Sequence, residues 1–130
     1  MKHITALAVL AFAPAFAAPS ASFLDALHQV ETSGRTGRII GDNGRALGPL
    51  QIHRSYWIDS RVPGRYEDCA DLAYSRRVVS AYLIRYARAA WDRGDVRTLA
   101  AVHNGGPRGT SKPAALRYAD RVEKILQHKY

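Results

Sequence analysis

The hydrophobic residues of this chain recur mostly at helical spacing. The first apolar stripe has side chains three or four residues apart and consists of Phe23, Leu24, Leu27 and Val30. Such a stripe is typical of the buried face of an amphipathic helix, so we expect a helix from Ser22 to Glu31. Glu31 lies seven residues after Leu24. Because seven residues make close to two helical turns, the Glu31 carboxyl is expected on the same core-facing stripe.

Proline, glycine and capping residues divide the rest of the chain into further helices. Gly48-Pro49 is expected to open a second helix that ends near Asp59, because proline suits a first helical turn. Asp95 is placed to cap a later helix, which Asn104-Gly105-Gly106 then ends. The remaining periodicity predicts helices over about 67–91, 95–104 and 111–126.

Two short apolar segments between the first two helices predict a β-hairpin. Residues 38–40 and 45–47 flank Gly41-Asp42-Asn43-Gly44, which consists entirely of turn-forming residues. The chain shows neither internal repeats nor a low-complexity linker. We therefore predict an α+β fold, mainly helical, with one small β-hairpin.

The N-terminal residues resemble a secretory signal peptide. The basic start Met1-Lys2-His3 precedes an apolar run, Ile4 to Phe16, that is too short to span a bilayer. Ala15-Phe16-Ala17 fits the small residues of a cleavage site. We expect residues 1–17 to be removed, leaving residues 18–130 as one exported domain, periplasmic or secreted, without stable membrane insertion. An uncleaved anchor is the alternative.

The composition favours an anionic partner outside the cytoplasm. The sequence has nineteen Lys and Arg residues and eleven Asp and Glu residues, which gives a formal net charge of +8. Bacterial cell wall and anionic lipid fit this charge. Nucleic acid fits less well, because the protein is expected to be exported and the basic residues are not clustered with base-reading side chains.

The single cysteine and the scattered histidines argue against disulfide, metal and cofactor chemistry. Cys69 cannot form a disulfide within the chain, so the fold must be held by its core, in which Cys69 is expected to be a small buried residue. The sequence contains no HExxH, CxxC or P-loop motif. No metal site and no cofactor are predicted.

Two carboxyls, Glu31 and Asp42, have surroundings that favour different protonation states. A carboxyl on an apolar helix face is costly as an anion, so Glu31 is expected to hold a proton and act as a general acid. Asp42 lies in an open polar turn and is expected to be ionised. One acid and one anion form the pattern of a glycosidase pair. Each residue taken alone also fits an ordinary role, Glu31 as a solvated helix end and Asp42 as a turn former.

Four blocks in a fixed order resemble the invertebrate-type lysozyme (destabilase) family. They are Val30-Glu31-Thr32-Ser33-Gly34, the segment 48–59 with its Gly-Pro-Leu-Gln-Ile start, His103-Asn104-Gly105-Gly106-Pro107-Arg108-Gly109, and Leu116-Arg117-Tyr118-Ala119-Asp120-Arg121-Val122. The same blocks are similar to bacterial lytic transglycosylases of the wider lysozyme superfamily. The resemblance implies a lysozyme-like fold with its hairpin beside a cleft. That cleft would hold a peptidoglycan strand for cutting of the β-1,4 bond between N-acetylmuramic acid and N-acetylglucosamine.

The resemblance also assigns site residues. Glu31 matches the family's acid, and Asp42 is the best match to its second carboxylate. The positions that match the substrate-binding part of the site are Thr32, Gln51, Tyr56, His103, Asn104 and Tyr118.

Three departures from the family pattern leave alternatives open. Thr32 stands where serine is usual, the first block holds one residue more than the family's V-E-S-G, and the disulfides of the invertebrate enzymes have no counterpart. The extra residue could displace Asp42 from the catalytic position, and the shortage of cysteines suits a bacterial exported relative. The leading hypothesis is a monomeric muramidase. The alternatives are a lytic transglycosylase that uses Glu31 without Asp42, and a non-catalytic protein that binds cell wall.

Overall fold

The computed structural model describes residues 18–129, so the predicted signal peptide lies outside the described residues and stays a prediction. Helices form most of this part of the chain, as the sequence indicated. Their bounds are α1 Ala21–Thr32, α2 Arg54–Ser60, α3 Leu72–Tyr86, α4 Arg88–Arg93, α5 Val96–Gly105 and α6 Pro113–His128. Short 3-10 turns lie at Asp42–Gly44, Tyr66–Ala70 and Gly109–Ser111. No helix within residues 18–129 has the length and apolar character needed to cross a membrane.

The predicted hairpin is present and belongs to a small antiparallel sheet. Its strands are β1 Ile40–Gly41, β2 Ala46–Leu47 and β3 Ile52–His53, in the order β1-β2-β3. Asp42 and Asn43 adopt left-handed backbone conformations in the turn between β1 and β2, with φ of 49° and 55°. Aspartate and asparagine tolerate this region better than most residues, which explains their position in the turn.

The segment after Gly48 corrects one expectation, because α2 begins at Arg54 and Ile52–His53 forms β3 instead. Gly48 has a φ of 83°, and a Cβ added there would lie 1.9 Å from the carbonyl oxygen of Cys69. Gln51 also has a positive φ and donates its side-chain amide to the carbonyls of Ile39 and Gly48. These contacts stabilise a tight turn where the proline pattern indicated a helix start.

The long central helix is also divided. Asp71 accepts a hydrogen bond from the backbone N–H of Tyr74 and so caps α3, which therefore starts at Leu72. Ala87 leaves the helical region with φ of −142° and ψ of 44°, and α4 follows it. Neither glycine nor proline marks this break, so the hydrophobic periodicity predicted one continuous helix across it. Gly94 ends α4 in a left-handed conformation.

One apolar core connects the helices and fixes the site. Phe23, Leu27, Leu83, Leu99 and Val122 are fully buried in it. Because α1, α5 and α6 all contribute to this core, the end of α1 is held against side chains from the other two helices. Cys69 is buried, as predicted, and burial raises the pKa of its thiol to about 12.

Candidate active site

The end of α1, the sheet, α2 and α5 border an open cleft with a volume of about 380 Å³. Most of the side chains selected from the sequence meet there, although they come from four separate parts of the chain. Those that line the cleft are Glu31, Asp42, Gln51, Tyr56, His103 and Asn104.

Glu31 lies in the last turn of α1 with its side chain 18% exposed, so it is mostly buried but open to the cleft. Tyr118 of α6 donates its hydroxyl to the Oε1 atom of Glu31 at 2.7 Å. His103 of α5 places its Nε2 atom 3.2 Å from the same oxygen. Two partners on one oxygen hold the carboxyl in a fixed orientation and concentrate the protein's contacts on Oε1.

The tautomer of His103 follows from the burial of Tyr56. The Tyr56 hydroxyl lies 2.8 Å from Nδ1 of His103. Burial, followed by the nearby Tyr82 and the charge of Glu31, raises the pKa of Tyr56 well above its usual value, so the hydroxyl keeps its proton. A buried O–H needs an acceptor, and Nδ1 supplies it. When Nδ1 of His103 accepts this hydrogen bond, the ring proton lies on Nε2 and is donated to Glu31.

Tyr118 is a hydroxyl donor for a related reason. Burial, then the charge of Glu31 and the hydrogen bond to it, raises the pKa of Tyr118 well above its usual value. Tyr118 is 3% exposed and lies behind the cleft wall, so it contacts Glu31 without lining the cleft.

Asp42 lies on the sheet side of the same cleft and is about half exposed. Its Oδ2 is 3.0 Å from Nε2 of His53, and its Oδ1 is 3.4 Å from the guanidinium of Arg45. Asp42 and Glu31 therefore line the same cleft, Asp42 from the turn between β1 and β2 and Glu31 from the end of α1.

Three further predicted site residues differ in where they lie. Thr32 is buried and donates its hydroxyl to the carbonyl of Pro49 at 2.9 Å, so it connects α1 to the turn before β3 and does not line the cleft. Gln51 lines the cleft, but its amide nitrogen is committed to two backbone carbonyls. Asn104 is exposed at the end of α5 and faces the cleft.

Comparison with known proteins places this architecture in a family. The Destabilase family model matches residues 20–125, which include both carboxyls and all of the helices up to the last turn of α6. The chain belongs to the Destabilase family. The resemblance found in the sequence blocks is thereby confirmed.

Relatives of this Destabilase-family chain include proteins named lysozyme. It is 41% identical to "Lysozyme 1" of Crassostrea virginica over 83 residues, which cover 62% of this chain and 45% of that protein. It is 32% identical to "Invertebrate-type lysozyme 6" of Caenorhabditis elegans over 130 residues, or 90% of this chain and 93% of the relative. The match to the oyster protein thus spans about half of that protein's length.

A solved lysozyme structure shares the fold of the Destabilase-family chain. The Tapes japonica lysozyme superposes with a TM-score of 0.69 at 31% identity, covering 88% of this chain and 94% of the other. The prediction of a lysozyme-like α+β fold is confirmed by this match. The sheet of this chain has one strand more than the predicted hairpin.

Four further cleft residues with polar side chains were not selected from the sequence of the Destabilase-family chain: His53, Ser55, Asp59 and Tyr82. Tyr82 stacks on Tyr56 with ring centroids 3.6 Å apart and forms an aromatic wall. Burial, with smaller effects of Tyr86 and Asp59, raises the pKa of Tyr82 to about 12. Asp59 follows Ser55 by one helical turn, a spacing that could have placed both on one face of α2.

The described part of the chain, residues 18–129, contains no group of three His, Cys, Asp or Glu side chains arranged to hold a metal ion.

Proposed function

We propose that this chain is a muramidase that hydrolyses the β-1,4 bond between N-acetylmuramic acid and N-acetylglucosamine in peptidoglycan. The observation that carries the proposal is the Glu31 carboxyl, which is largely buried, opens to a cleft and is held at one oxygen by Tyr118 and His103. The membership of this chain in the Destabilase family and its similarity to relatives named lysozyme support the same activity.

In the proposed reaction Glu31 is the general acid. Its Oε1 atom is occupied by Tyr118 and His103, so Oε2 is the oxygen that carries a proton to the glycosidic oxygen. As that proton leaves, the bond between the sugar C1 and the glycosidic oxygen breaks, and negative charge develops on the carboxyl. Hydrogen bonds to a charged group are stronger than those to a neutral one, so both donors stabilise the product of this step.

Asp42 is the proposed second carboxylate. The C1–O bond cleavage leaves positive charge on the muramic acid ring, and an anion on the facing side of the cleft either stabilises this charge or bonds to C1. His53 and Arg45 hold Asp42 on two sides, which supports a fixed position. Water then completes hydrolysis and returns a proton to Glu31.

The rest of the cleft would bind the glycan. Asn104 and Ser55 are open polar groups that can hydrogen-bond sugar hydroxyls or N-acetyl groups, and Tyr56 stacked on Tyr82 gives a rigid wall. The formal charge of +8 suits the anionic surface of a bacterial wall. We further propose that the protein is exported, which the signal-peptide pattern supports, and that it acts as a monomer.

The products of digestion test this function. Purified peptidoglycan is incubated with the mature protein, and the soluble fragments are weighed by mass spectrometry. Fragments with reducing N-acetylmuramic acid ends are expected. Fragments lighter by one water, with 1,6-anhydro ends, would instead identify a lytic transglycosylase in which Asp42 has no part in the chemistry. If the protein releases no soluble fragments from several types of cell wall, the enzymatic function is refuted and a non-catalytic wall-binding protein is the remaining hypothesis.

A further inference from the structure

A second groove opens directly from the cleft. It has a volume of about 380 Å³ and shares His53 and Ser55 with the cleft. Its other walls include the side chains of Arg45, Arg54 and Tyr66, and no carboxylate of residues 18–129 lines it. A chain attached to a sugar in the cleft could therefore continue into a basic channel without leaving the protein surface.

Arg54 is the cation of this groove that is open to a ligand. Arg45 is paired with Asp42, whereas no carboxylate of residues 18–129 lies within 4.0 Å of Arg54 as an ion-pair partner. The Arg54 guanidinium lies 4.4 Å from the centre of the Tyr66 ring. The Tyr66 hydroxyl is in turn fixed by donation to the carbonyl of Ile52 at 2.6 Å.

This arrangement prepares Arg54 to bind a carboxylate. Stacking on an aromatic ring occupies one face of a guanidinium but leaves its N–H edge free, and that edge matches the two oxygens of a carboxylate. Because Tyr66 is anchored, less conformational freedom is lost when a ligand binds.

We propose that the groove around Arg54 binds the carboxylates of the peptide stems that peptidoglycan carries on its muramic acid residues. The proposal rests on the function proposed above, since it assumes that muramic acid occupies the adjacent cleft. The sugars of an intact strand are uncharged where each lactyl group is joined to a stem, so the stem carboxylates are the anions nearest to the cut bond. The groove would thus favour strands with intact stems over bare or neutralised glycan.

The test compares two forms of one polymer. Peptidoglycan is purified free of phosphate-bearing wall polymers, and half of it is amidated to neutralise its carboxylates while leaving the glycan unchanged. Binding is measured by co-sedimentation in the cold, and cleavage is measured by release of soluble fragments. We expect the wild type to bind the native polymer about threefold more tightly than the amidated one, the size of effect typical of an exposed charge pair.

Arg54→Gln should lose this preference. The affinity of this variant for native polymer is expected to be about threefold lower than that of the wild type, and its affinity for amidated polymer is expected to be unchanged. The difference between the variant and the wild type should vanish at high salt, where exposed charges are screened. Arg54→Lys should retain part of the preference, because it keeps the charge without the planar fork. Arg85→Gln is the matched control, since Arg85 also lies over a tyrosine ring, that of Tyr86, but does not line the groove.

Equal losses on both polymers, or no loss on either, would overturn the carboxylate site. Thermal unfolding of each variant shows whether a loss comes from misfolding, and Arg54→Lys provides a second folded variant. Cleavage of the amidated polymer by the wild type reports the glycosidase activity independently of Arg54. If the wild type cleaves neither polymer, the proposed function fails, and the co-sedimentation preference still decides the carboxylate site.

Discussion

Tyr118→Phe removes one hydroxyl from the site and leaves the shape of the core almost unchanged. Tyr118 is 3% exposed, and its ring packs in the core while its hydroxyl donates to Glu31 at 2.7 Å. In the proposed reaction Glu31 is a neutral acid before proton transfer, and a hydrogen bond to a neutral acceptor contributes about 0.5–1.5 kcal/mol. After transfer it is a carboxylate, and the same bond contributes about 1.5–3 kcal/mol.

Only the difference between these two contributions affects the rate of the chemical step. That difference is about 1–1.5 kcal/mol, which corresponds to a reduction of kcat by about 5- to 13-fold. KM should change little, because Tyr118 does not line the cleft. The free energy of unfolding should fall by less than about 1 kcal/mol, since His103 still contacts the Glu31 oxygen and the carboxyl is open to water.

The assay is steady-state cleavage of soluble peptidoglycan fragments, with thermal unfolding measured in parallel. Tyr74→Phe is the matched control, because it removes a hydroxyl that accepts a 2.8 Å hydrogen bond from Trp57 and does not contact Glu31. An unchanged kcat for Tyr118→Phe, or an equal fall in kcat for Tyr74→Phe, would refute the reasoning that the Tyr118 hydroxyl stabilises the Glu31 anion.

Three further predictions concern other residues. If Asp42 stabilises the charged sugar, Asp42→Asn should lower kcat on the order of 100-fold. Asp59→Asn is the control, because it also changes a carboxylate of the cleft and should mainly raise KM. Near-full activity of Asp42→Asn would favour the transglycosylase. Cys69, whose thiol has its pKa raised to about 12 by burial, should resist a thiol reagent at mildly alkaline pH until denaturant is added, and fast labelling of the folded protein would disagree. Burial alone would raise the pKa of Asp95, but hydrogen bonds from Thr98 and then Arg93 lower it overall, so Asp95→Ala should cost about 1 kcal/mol of stability near neutral pH. The stabilisation by Asp95 is present above the ordinary aspartate pKa and is lost as the pH falls through the lowered pKa of the folded state. The free energies of unfolding of Asp95→Ala and the wild type should therefore converge in acid. A difference that stays constant with pH would contradict the role of Asp95 as a helix cap.

The position of Glu31 could be predicted from the sequence because it depends on local geometry. Helical periodicity alone placed its carboxyl on the stripe of Phe23, Leu24 and Leu27, and α1 has nearly the expected bounds. The turn at Asp42 was predictable for the same reason, since its residues match the left-handed conformations of the turn.

The partners of Glu31 could not be derived from periodicity, because they depend on tertiary packing. His103 and Tyr118 lie 72 and 87 residues further along the chain, and only the family resemblance pointed to them. The role of Tyr56 in setting the His103 tautomer depends on a contact across 47 residues. The predicted start of α2 was wrong for a similar reason, since the close approach of Gly48 to the backbone of Cys69 determines the conformation of that segment.

Measuring Glu31→Gln beside the wild type on purified peptidoglycan tests the central claim most directly. Glutamine keeps an oxygen that can accept from Tyr118 and His103, so the variant should fold, keep its unfolding temperature and still sediment with peptidoglycan. Because it has no proton to give, release of reducing ends should fall by about 10²- to 10⁴-fold. A folded Glu31→Gln protein that releases reducing ends at close to the wild-type rate would contradict the assignment of Glu31 as the acid.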